Sequence, residues 1–356
     1  MKTIEQILNT PSEREQALRA TNGRLEKELK AAYKRLGQRQ EFADAIAGAV
    51  HTLKPLAEFP KTAAGKAGTL PAVTMGIQWS DWHIGQTAGY DHSKYNWMIA
   101  QQRMAYLTDS MIRWAKGKRH MYDLRKCHVL SLSDFVSGII HEELITEAEF
   151  PLPVQIARAA QLHAEHLRRL AGEFETVEVD AIDADNHGRL SRKPRSQDKA
   201  RNNVSWLVHE MSQQATAGIK NIQWVRTAET RMVVKVAKTK FLIEHGDTIR
   251  GSQYGTPWYA LLRMAMRRAK HAMAGRGEHF DVFAIGHFHT SKFDDADGLM
   301  VNGALTGTIE YDEDNARSAG PTQNAFMVSP SHGIFDFTPF RADGKAVATT
   351  AGEGVG

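Results

Sequence analysis

Residues 73–83 read VTMGIQWSDWH, a largely apolar run of the kind a strand carries when both its faces are buried, ending on Asp81 and His83. Four more stretches along the chain repeat that arrangement. Lys126–Ser133 reads as a strand that runs into Asp134, and Thr176–Ala184 as one that runs into Asp185-Asn186-His187. The stretch 221–244 reads as two β-branched strands, the second ending at His245-Gly246-Asp247. Phe280–Ile285 leads into Gly286-His287-Phe288-His289. Helical patterns fall between the strands at 96–116, 154–171 (with a stripe of Ile156, Ala160, His163, Leu167 and Leu170) and 257–274. There is no internal repeat. Alternating strands and helices imply an α/β fold, and side chains at successive strand ends are where such a sheet puts its site.

The residues at those ends share one chemistry. Two Asp, an Asn and three or four His would repel one another or stay unsatisfied in a dry fold, whereas two divalent cations would turn them into a bridged site able to hold a phosphate and activate water. Asp-x-His on a turn lets both side chains face one cation. In Gly286-His-Phe-His, period-2 spacing throws both imidazoles to one side, and the glycine clears space where metal approaches. Asn186-His187 pairs a neutral amide ligand with a candidate acid. Each piece alone is common; the five together, each after a strand, are specific.

Other histidines and acids read as structural. His128, His163 and His166 lie among apolar neighbours, Asp91-His92 fits a helix N-terminus, and Asp247 fits a loop cap. The patterns GxGxxG, GxxxxGK[ST] and GxSxG are absent, so nucleotide-driven and serine-hydrolase chemistry have no support.

With 356 residues the chain can bury one large core and a small accessory region. No apolar run approaches the roughly 20 residues that span a bilayer, so no membrane association is expected. The N-terminus MKTIEQILNTPSERE lacks the apolar core of a signal peptide. The single cysteine, Cys127, reads as a small buried hydrophobe. A reducing cytoplasm fits. The organisation expected is a helical, coiled-coil-like extension over 1–53, a linker over 54–72 rich in Pro, Gly, Ala and Lys, the α/β domain over 73–345 and a tail over 346–356. In the extension Ser12 is an N-cap candidate, and Leu18, Leu25 and Ala32 with Asn22, Leu29 and Leu36 make an a/d pattern of three heptads. That fits an oligomer seam or a single amphipathic helix.

Net charge is +4, with the excess concentrated locally. Arg189, Arg192, Lys193, Arg195, Lys199 and Arg201 are opposed only by Asp198 and begin two residues after His187; Arg263, Arg267, Arg268 and Lys270 form a second group. Either group fits a solvated face. Beside a metal site the first also fits attraction of phosphate.

The strand-end pieces resemble the calcineurin-like metallophosphoesterase family, whose pattern runs Asp-x-His, Gly-Asp-x-x-Asp, Gly-Asn-His, His, Gly-His-x-His. The resemblance covers roughly residues 73–308 and implies a four-layer sandwich of two mixed sheets flanked by helices. It further implies two metals, manganese foremost with iron or zinc as alternatives. Asp81, His83 and His289 would hold one, Asn186, His245 and His287 the other, and Asp134 would bridge. His187 would be the general acid. The chain departs from the pattern twice: Ser137 stands where an acid often orients the catalytic histidine, and Asp185 stands where glycine usually precedes Asn-His. Asp185, His141 and Glu142 are the candidates to take over that orienting role.

The family hydrolyses phosphoproteins, small phosphodiesters and DNA. Three features lean towards nucleic acid, DNA first: the basic segment with Arg189, Arg192, Lys193, Arg195 and Arg201 as substrate contacts, the altered second motif, and aromatics in Gln253-Tyr-Gly-Thr-Pro-Trp-Tyr that could stack on bases. The wording Ser133-Asp-Phe-Val-Ser-Gly-Ile-Ile-His-Glu-Glu is also similar to phage-encoded members of DNA-repair-exonuclease type, for which the compartment would be the host cytoplasm. A phosphomonoesterase or small-molecule phosphodiesterase, and a non-catalytic scaffold, are the alternatives.

Overall fold

The computed structural model describes residues 70–90, 93–140, 142–190, 202–227, 229–249, 256–307 and 320–342, together with helical backbone at Arg24, Lys27, Lys30, Glu41, Asp44, Ile46 and Gly48. The chain divides into two compact units, 1–52 and 53–356. The heptad positions, the expected linker up to residue 69 and the tail lie outside the described residues, as do Asp91, His92 and His141.

The second unit is built on two sheets. The first has the order β13-β12-β1-β4-β5-β6, from β1 (Ala72–Trp79), β4 (Asp123–Ser131), β5 (Thr176–Ile182), β6 (Ile222–Thr227), β12 (Thr322–Ser329) and β13 (Gly333–Arg341). Its strands β1, β4, β5 and β6 are parallel, and β12 and β13 add an antiparallel edge. The second has the order β10-β11-β9-β8-β7, from β7 (Arg231–Val236), β8 (Thr239–Glu244), β9 (Val282–Ile285), β10 (Lys292–Asp294) and β11 (Leu299–Val301). A short hairpin of β2 (Ala88–Tyr90) and β3 (Ser93–Tyr95) stands apart.

Alternation along the strands decides the layering. Leu130 and Ile182 of the first sheet meet Phe241, Ile243, Val282 and Ala284 of the second, with Phe326 and Val328 completing this shared core. The opposite face of the second sheet, Leu242, Phe283, Ile285 and Val301, packs on Leu261 and Ala265 of helix α5 (Trp258–Met273). The outer face of the first sheet is covered by α1 (Trp97–Lys118), α3 (Leu152–Glu173) and α4 (Ser205–Thr216), and Trp79 of β1 meets His163 of α3 edge-on at 5.3 Å. A short helix α2 (Glu142–Thr146) precedes α3. Helix, sheet, sheet, helix is the four-layer α/β sandwich expected from the resemblance.

Two expectations change. The stretch 221–244 holds three strands, not two: β6 ends one sheet and the hairpin β7–β8 begins the other. Apolar content does not distinguish them, because β6 is a half-exposed edge while β8 is buried on both faces. The strands β12 and β13, and helix α4, went unrecognised in the sequence. Pairing of β12 with β1 closes the first sheet from some 250 residues away, which local pattern does not reveal.

Candidate metal centre

All five ligand-bearing pieces lie at strand C-termini on one end of the sandwich. Asp81 follows β1, Asp134 follows β4 and Asp185 follows β5, while His245 follows β8 and His287 follows β9. Hydrogen bonds tie these loops together, both within each sheet and between the two. Asp81 and Trp82 donate their amides to the carbonyls of Ser133 and Asp134, and the Gly286 amide donates to the His245 carbonyl. The His287 amide, from the second sheet, donates to both carboxylate oxygens of Asp81 at 3.0 and 3.1 Å.

The backbone here is strained. Asp81, His83, Ser133, Asp134, His287 and His289 all have φ between 49° and 70°, and among the described non-glycine residues only Ala237 shares that sign. A left-handed residue with a Cβ costs roughly 1–2 kcal/mol. Six of them in three loops mean that surrounding packing enforces an unfavourable geometry, as it does where side chains must be aimed.

That strain corrects the reading of Gly286-His-Phe-His. Period-2 spacing assumes extended chain, yet both histidines are left-handed and their rings diverge. His287 joins His245 and Asn186: its Nδ1 and the Nε2 of His245 each stand 3.0 Å from Asn186 Oδ1. His289 joins His83 and Asp81, with Nε2 3.1 Å from His83 Nε2 and 3.6 Å from Asp81 Oδ1. Phe288 between them anchors in the core of the second sheet and α5. Gly286 also has a different task from the one expected: a Cβ there would lie 2.5 Å from Asp81 Oδ2, so the glycine admits the carboxylate, not a cation.

Asp134 lies between the two groups. Its Oδ2 is 3.0 Å from His245 Nε2, its Oδ1 accepts the His187 amide at 3.0 Å, and it is also within ligand range of His83. Donor atoms about 3.0–3.6 Å apart match the edges of a coordination shell, since bonds of about 2.0–2.2 Å at tetrahedral or octahedral angles place neighbouring ligands roughly 2.8–3.6 Å apart. The buried His83 Nδ1 finds no hydrogen-bond partner among the described residues, and two imidazole nitrogens facing each other at 3.1 Å can share at most one proton. Imidazole and carboxylate donors with no thiolate fit manganese, iron or zinc.

Electrostatics agree with that fit. Burial pushes the Asp81 carboxyl up, with His245 and His289 pulling it back. Burial would also raise Asp134, but His245, His187 and His83 outweigh it and hold the carboxyl well below its usual range. Burial disfavours charge on His245, yet Asp134, then Asp81 and Asp185, hold its imidazolium well above the ordinary value. His83 and His287 are pushed well down, first by burial and then by their histidine neighbours. The protein alone thus balances its buried carboxylates with a proton on His245. Divalent cations would supply that charge and leave every imidazole neutral, as ligation requires.

His187 sits at the mouth, with its ring 4.5 Å from that of His83. Its Nδ1 donates to the Ser137 carbonyl at 2.7 Å, which leaves Nε2 as its working atom. The residue that replaces the orienting acid therefore orients the histidine through its backbone. Asp185 does not take that role. Its carboxylate accepts the Asp134 amide at 2.9 Å, the Gly188 amide at 2.5 Å and the Ser205 hydroxyl, and Asn203 joins it at 3.3 Å, so it braces the loops that carry Asp134 and His187. Burial and the Asp134 charge raise its pKa. The side chain of Glu142 lies outside the described residues. Gly138 makes the His187 contact feasible: with φ at 78°, a Cβ there would lie 2.0 Å from the His187 carbonyl oxygen.

Several supporting residues were not legible in sequence. Ser80 bonds Asp81 and is itself held by Asn302 at 2.9 Å, and Gln323 binds the Ser80 amide and carbonyl. These polar residues come from a distant strand and loop, without a motif. Of the basic segment only Arg189 is described; it is half-buried, with Nε on the Asn186 carbonyl at 2.8 Å, while Arg192, Lys193, Arg195 and Arg201 lie outside the described residues. Of the aromatic group, Trp258 is stacked under Lys292 at 4.4 Å, Tyr259 is exposed, and Tyr254 lies outside the described residues. His163 and His166 are buried and held neutral by burial first, as structural histidines, and Cys127 is buried. Among the described residues no helix is long and apolar enough to cross a membrane.

No protein-family profile matches the chain, and no curated protein does. Solved structures similar to it include zinc-complexed Vps29 from Entamoeba histolytica (13% identity, covering 76% of this chain and 98% of that one, TM-score 0.31). Vps29 from Cryptosporidium parvum is 11% identical over 77% of this chain and 100% of that one, with a TM-score of 0.32. The calcineurin-like phosphoesterase YfkN from Bacillus subtilis is 8% identical over 79% and 96%, with a TM-score of 0.30. At such scores nothing about those proteins is carried over to this chain.

Proposed function

We propose that this chain is a two-metal phosphoesterase of the calcineurin-like type that hydrolyses phosphodiesters, with nucleic acid, DNA first, as its substrate. The observation that carries the reading is the pair of ligand groups meeting at one carboxylate. Asp81, His83 and His289 converge on one side, Asn186, His245 and His287 on the other, and Asp134 is in reach of both. Isolated core histidines would have no reason to oppose ring nitrogen to ring nitrogen.

Manganese ions, with iron or zinc as substitutes, would supply Lewis acidity and a nucleophile from water at neutral pH. The chain's own residues do the rest. Asp81, His83, His289, Asn186, His245 and His287 would hold the metals with Asp134 shared between them, and the strained loops keep these side chains in place without reorganisation. His187, tethered at Nδ1, keeps Nε2 facing the site, where it would take a proton and pass it to the departing oxygen. The Ser137 carbonyl positions that histidine without touching substrate, while Asp185 braces the loops around it.

The nucleic-acid part rests on the basic segment that follows His187. If Arg189, Arg192, Lys193, Arg195 and Arg201 meet four or five phosphates, nucleic-acid binding weakens with salt at a log–log slope of roughly −3 to −4.5, from single strand to duplex. The test is the manganese-loaded protein on linear, nicked and single-stranded DNA beside bis-p-nitrophenyl phosphate and p-nitrophenyl phosphate. Cleavage of DNA and of the diester supports the reading. Release of phosphate from the monoester with neither DNA nor RNA cut would replace it with a phosphomonoesterase, and no turnover on any substrate would favour a scaffold.

A further inference from the structure

Helix α5 has the sequence WYALLRMAMRRAKHAM, sixteen residues with no acid. Its buried side, Leu261 and Ala265, packs on the second sheet. One of its four Arg and Lys side chains is spent on the fold: Arg268 reaches Glu244 at 2.8 Å. The others, Arg263, Arg267 and Lys270, are exposed. At 100° per residue they share a face with Tyr259, Met266 and Met273, which are 78%, 72% and 76% exposed. That face is a stripe about 20 Å long on which three cations alternate with an aromatic ring and two thioethers.

The helix begins beside the loop that follows His289. Thr256, two residues before the helix, shares a hydrogen bond of 2.8 Å with Thr290, the residue after His289. Trp258, in the first turn, lies under Lys292. Arg263 in turn leans over the Tyr259 ring at 5.8 Å, which holds the first cation of the row in place. In sequence this basic group fits a solvated face. Its separation into one arginine spent on Glu244 and three exposed cations in a row on one face points to a binding surface.

We propose that the outer face of α5 is a nucleic-acid track, in which Arg263, Arg267 and Lys270 meet successive backbone phosphates of a strand whose scissile bond lies at the metal centre, while Tyr259 packs against a sugar or base beside it. The proposal rests on the phosphodiester reading above. Charge complementarity selects the occupant: a polyanion matches three cations unopposed by any acid on the helix, whereas a purely apolar partner would leave them desolvated. Arg263 and Arg267 are about 6 Å apart along the axis, close to the phosphate spacing of an extended strand.

The test uses the full chain and the variant R263S/R267S/K270S, whose substituted side chains are exposed and hold no part of the core. Anisotropy of a labelled 30-bp DNA duplex is followed over a KCl series in calcium buffer, where cleavage is expected to be slow. Hydrolysis of bis-p-nitrophenyl phosphate is followed separately in manganese. Losing three contacts should flatten the log–log salt slope by about 2.7 and weaken binding at 0.1 M salt roughly 500-fold. Diester turnover should stay within a factor of two of the parent. A parent that binds or cuts DNA with a variant of unchanged slope overturns the track and leaves the nuclease reading standing. A parent that hydrolyses the diester but neither binds nor cuts DNA or RNA overturns both and leaves a phosphoesterase. Binding of anionic vesicles in place of DNA, or a concentration-dependent mass abolished by M266E, would also overturn it, showing the face to serve a lipid surface or a protein partner.

Discussion

The Gly138→Ala substitution probes how His187 is held. Gly138 has φ at 78°, and its absent Cβ would fall 2.0 Å from the His187 carbonyl oxygen and 2.9 Å from its carbonyl carbon. Contacts shorter than 3.0 Å do not persist, so one of the two loops must retreat by about 1 Å. The retreat acts on the peptide that also supplies the Ser137 carbonyl, the acceptor that fixes Nδ1 of His187 at 2.7 Å. A left-handed alanine costs roughly 1–2 kcal/mol and the overpacking about another 1–3 kcal/mol, so a loss of about 2–5 kcal/mol is expected in urea melts. A misplacement of about 1 Å at a proton donor should lower turnover about 10²-fold on an alkyl phosphodiester, whose leaving group needs protonation. On bis-p-nitrophenyl phosphate the loss should be much smaller, because the phenolate leaves unaided. The control is His187→Ala, expected to lower alkyl-diester turnover about 10²–10⁴-fold with metal content kept. Adding Gly138→Ala to it should lower turnover little further, since the glycine acts through a ring no longer there. A full second loss in the double variant, or unchanged turnover in Gly138→Ala alone, would refute the positioning argument.

Three more outcomes follow from the same geometry. Asp134→Asn removes the carboxylate shared by both ligand groups, so elemental analysis should show both metals depleted and activity lost beyond rescue by excess manganese; full activity of the parent in excess chelator would end the two-metal reading. Burial pushes the His166 imidazole down to about 3, so it is neutral in the fold while the unfolded chain takes up its proton below about 6.5. Stability contributed this way is complete above pH 6.5 and falls by about 1.4 kcal/mol per unit below it, about 2 kcal/mol at pH 5, and His166→Gln should flatten that dependence in urea melts. Deleting residues 1–55 should leave diester hydrolysis intact and lower the number of chains per particle if the heptad pattern is an oligomer seam; an unchanged oligomeric state would favour a lone amphipathic helix.

The sequence by itself carried the inventory of the candidate site and the strand ends on which it lies. Asp81, Asp134, Asn186, His245, His287 and His289 each follow a strand-like run closely, and burial on both faces makes such runs legible as strands without any knowledge of their partners. The α/β class followed from the same alternation. Tertiary structure alone decided how those residues are shared out. His287 and His289 point to opposite groups because left-handed backbone, enforced by packing of Phe288 and by the Asp81 carboxylate on the His287 amide, overrides the alternation of an extended chain. The replacement for the missing orienting acid is a backbone carbonyl, and every residue type has one, so composition holds no sign of it. Likewise the brace formed by Asp185, Asn203 and Ser205, and the support of Ser80 by Asn302 and Gln323, join residues up to 243 positions apart. Periodicity reports which face of a strand is buried; which buried groups then touch is fixed only when two sheets pack and their loops converge.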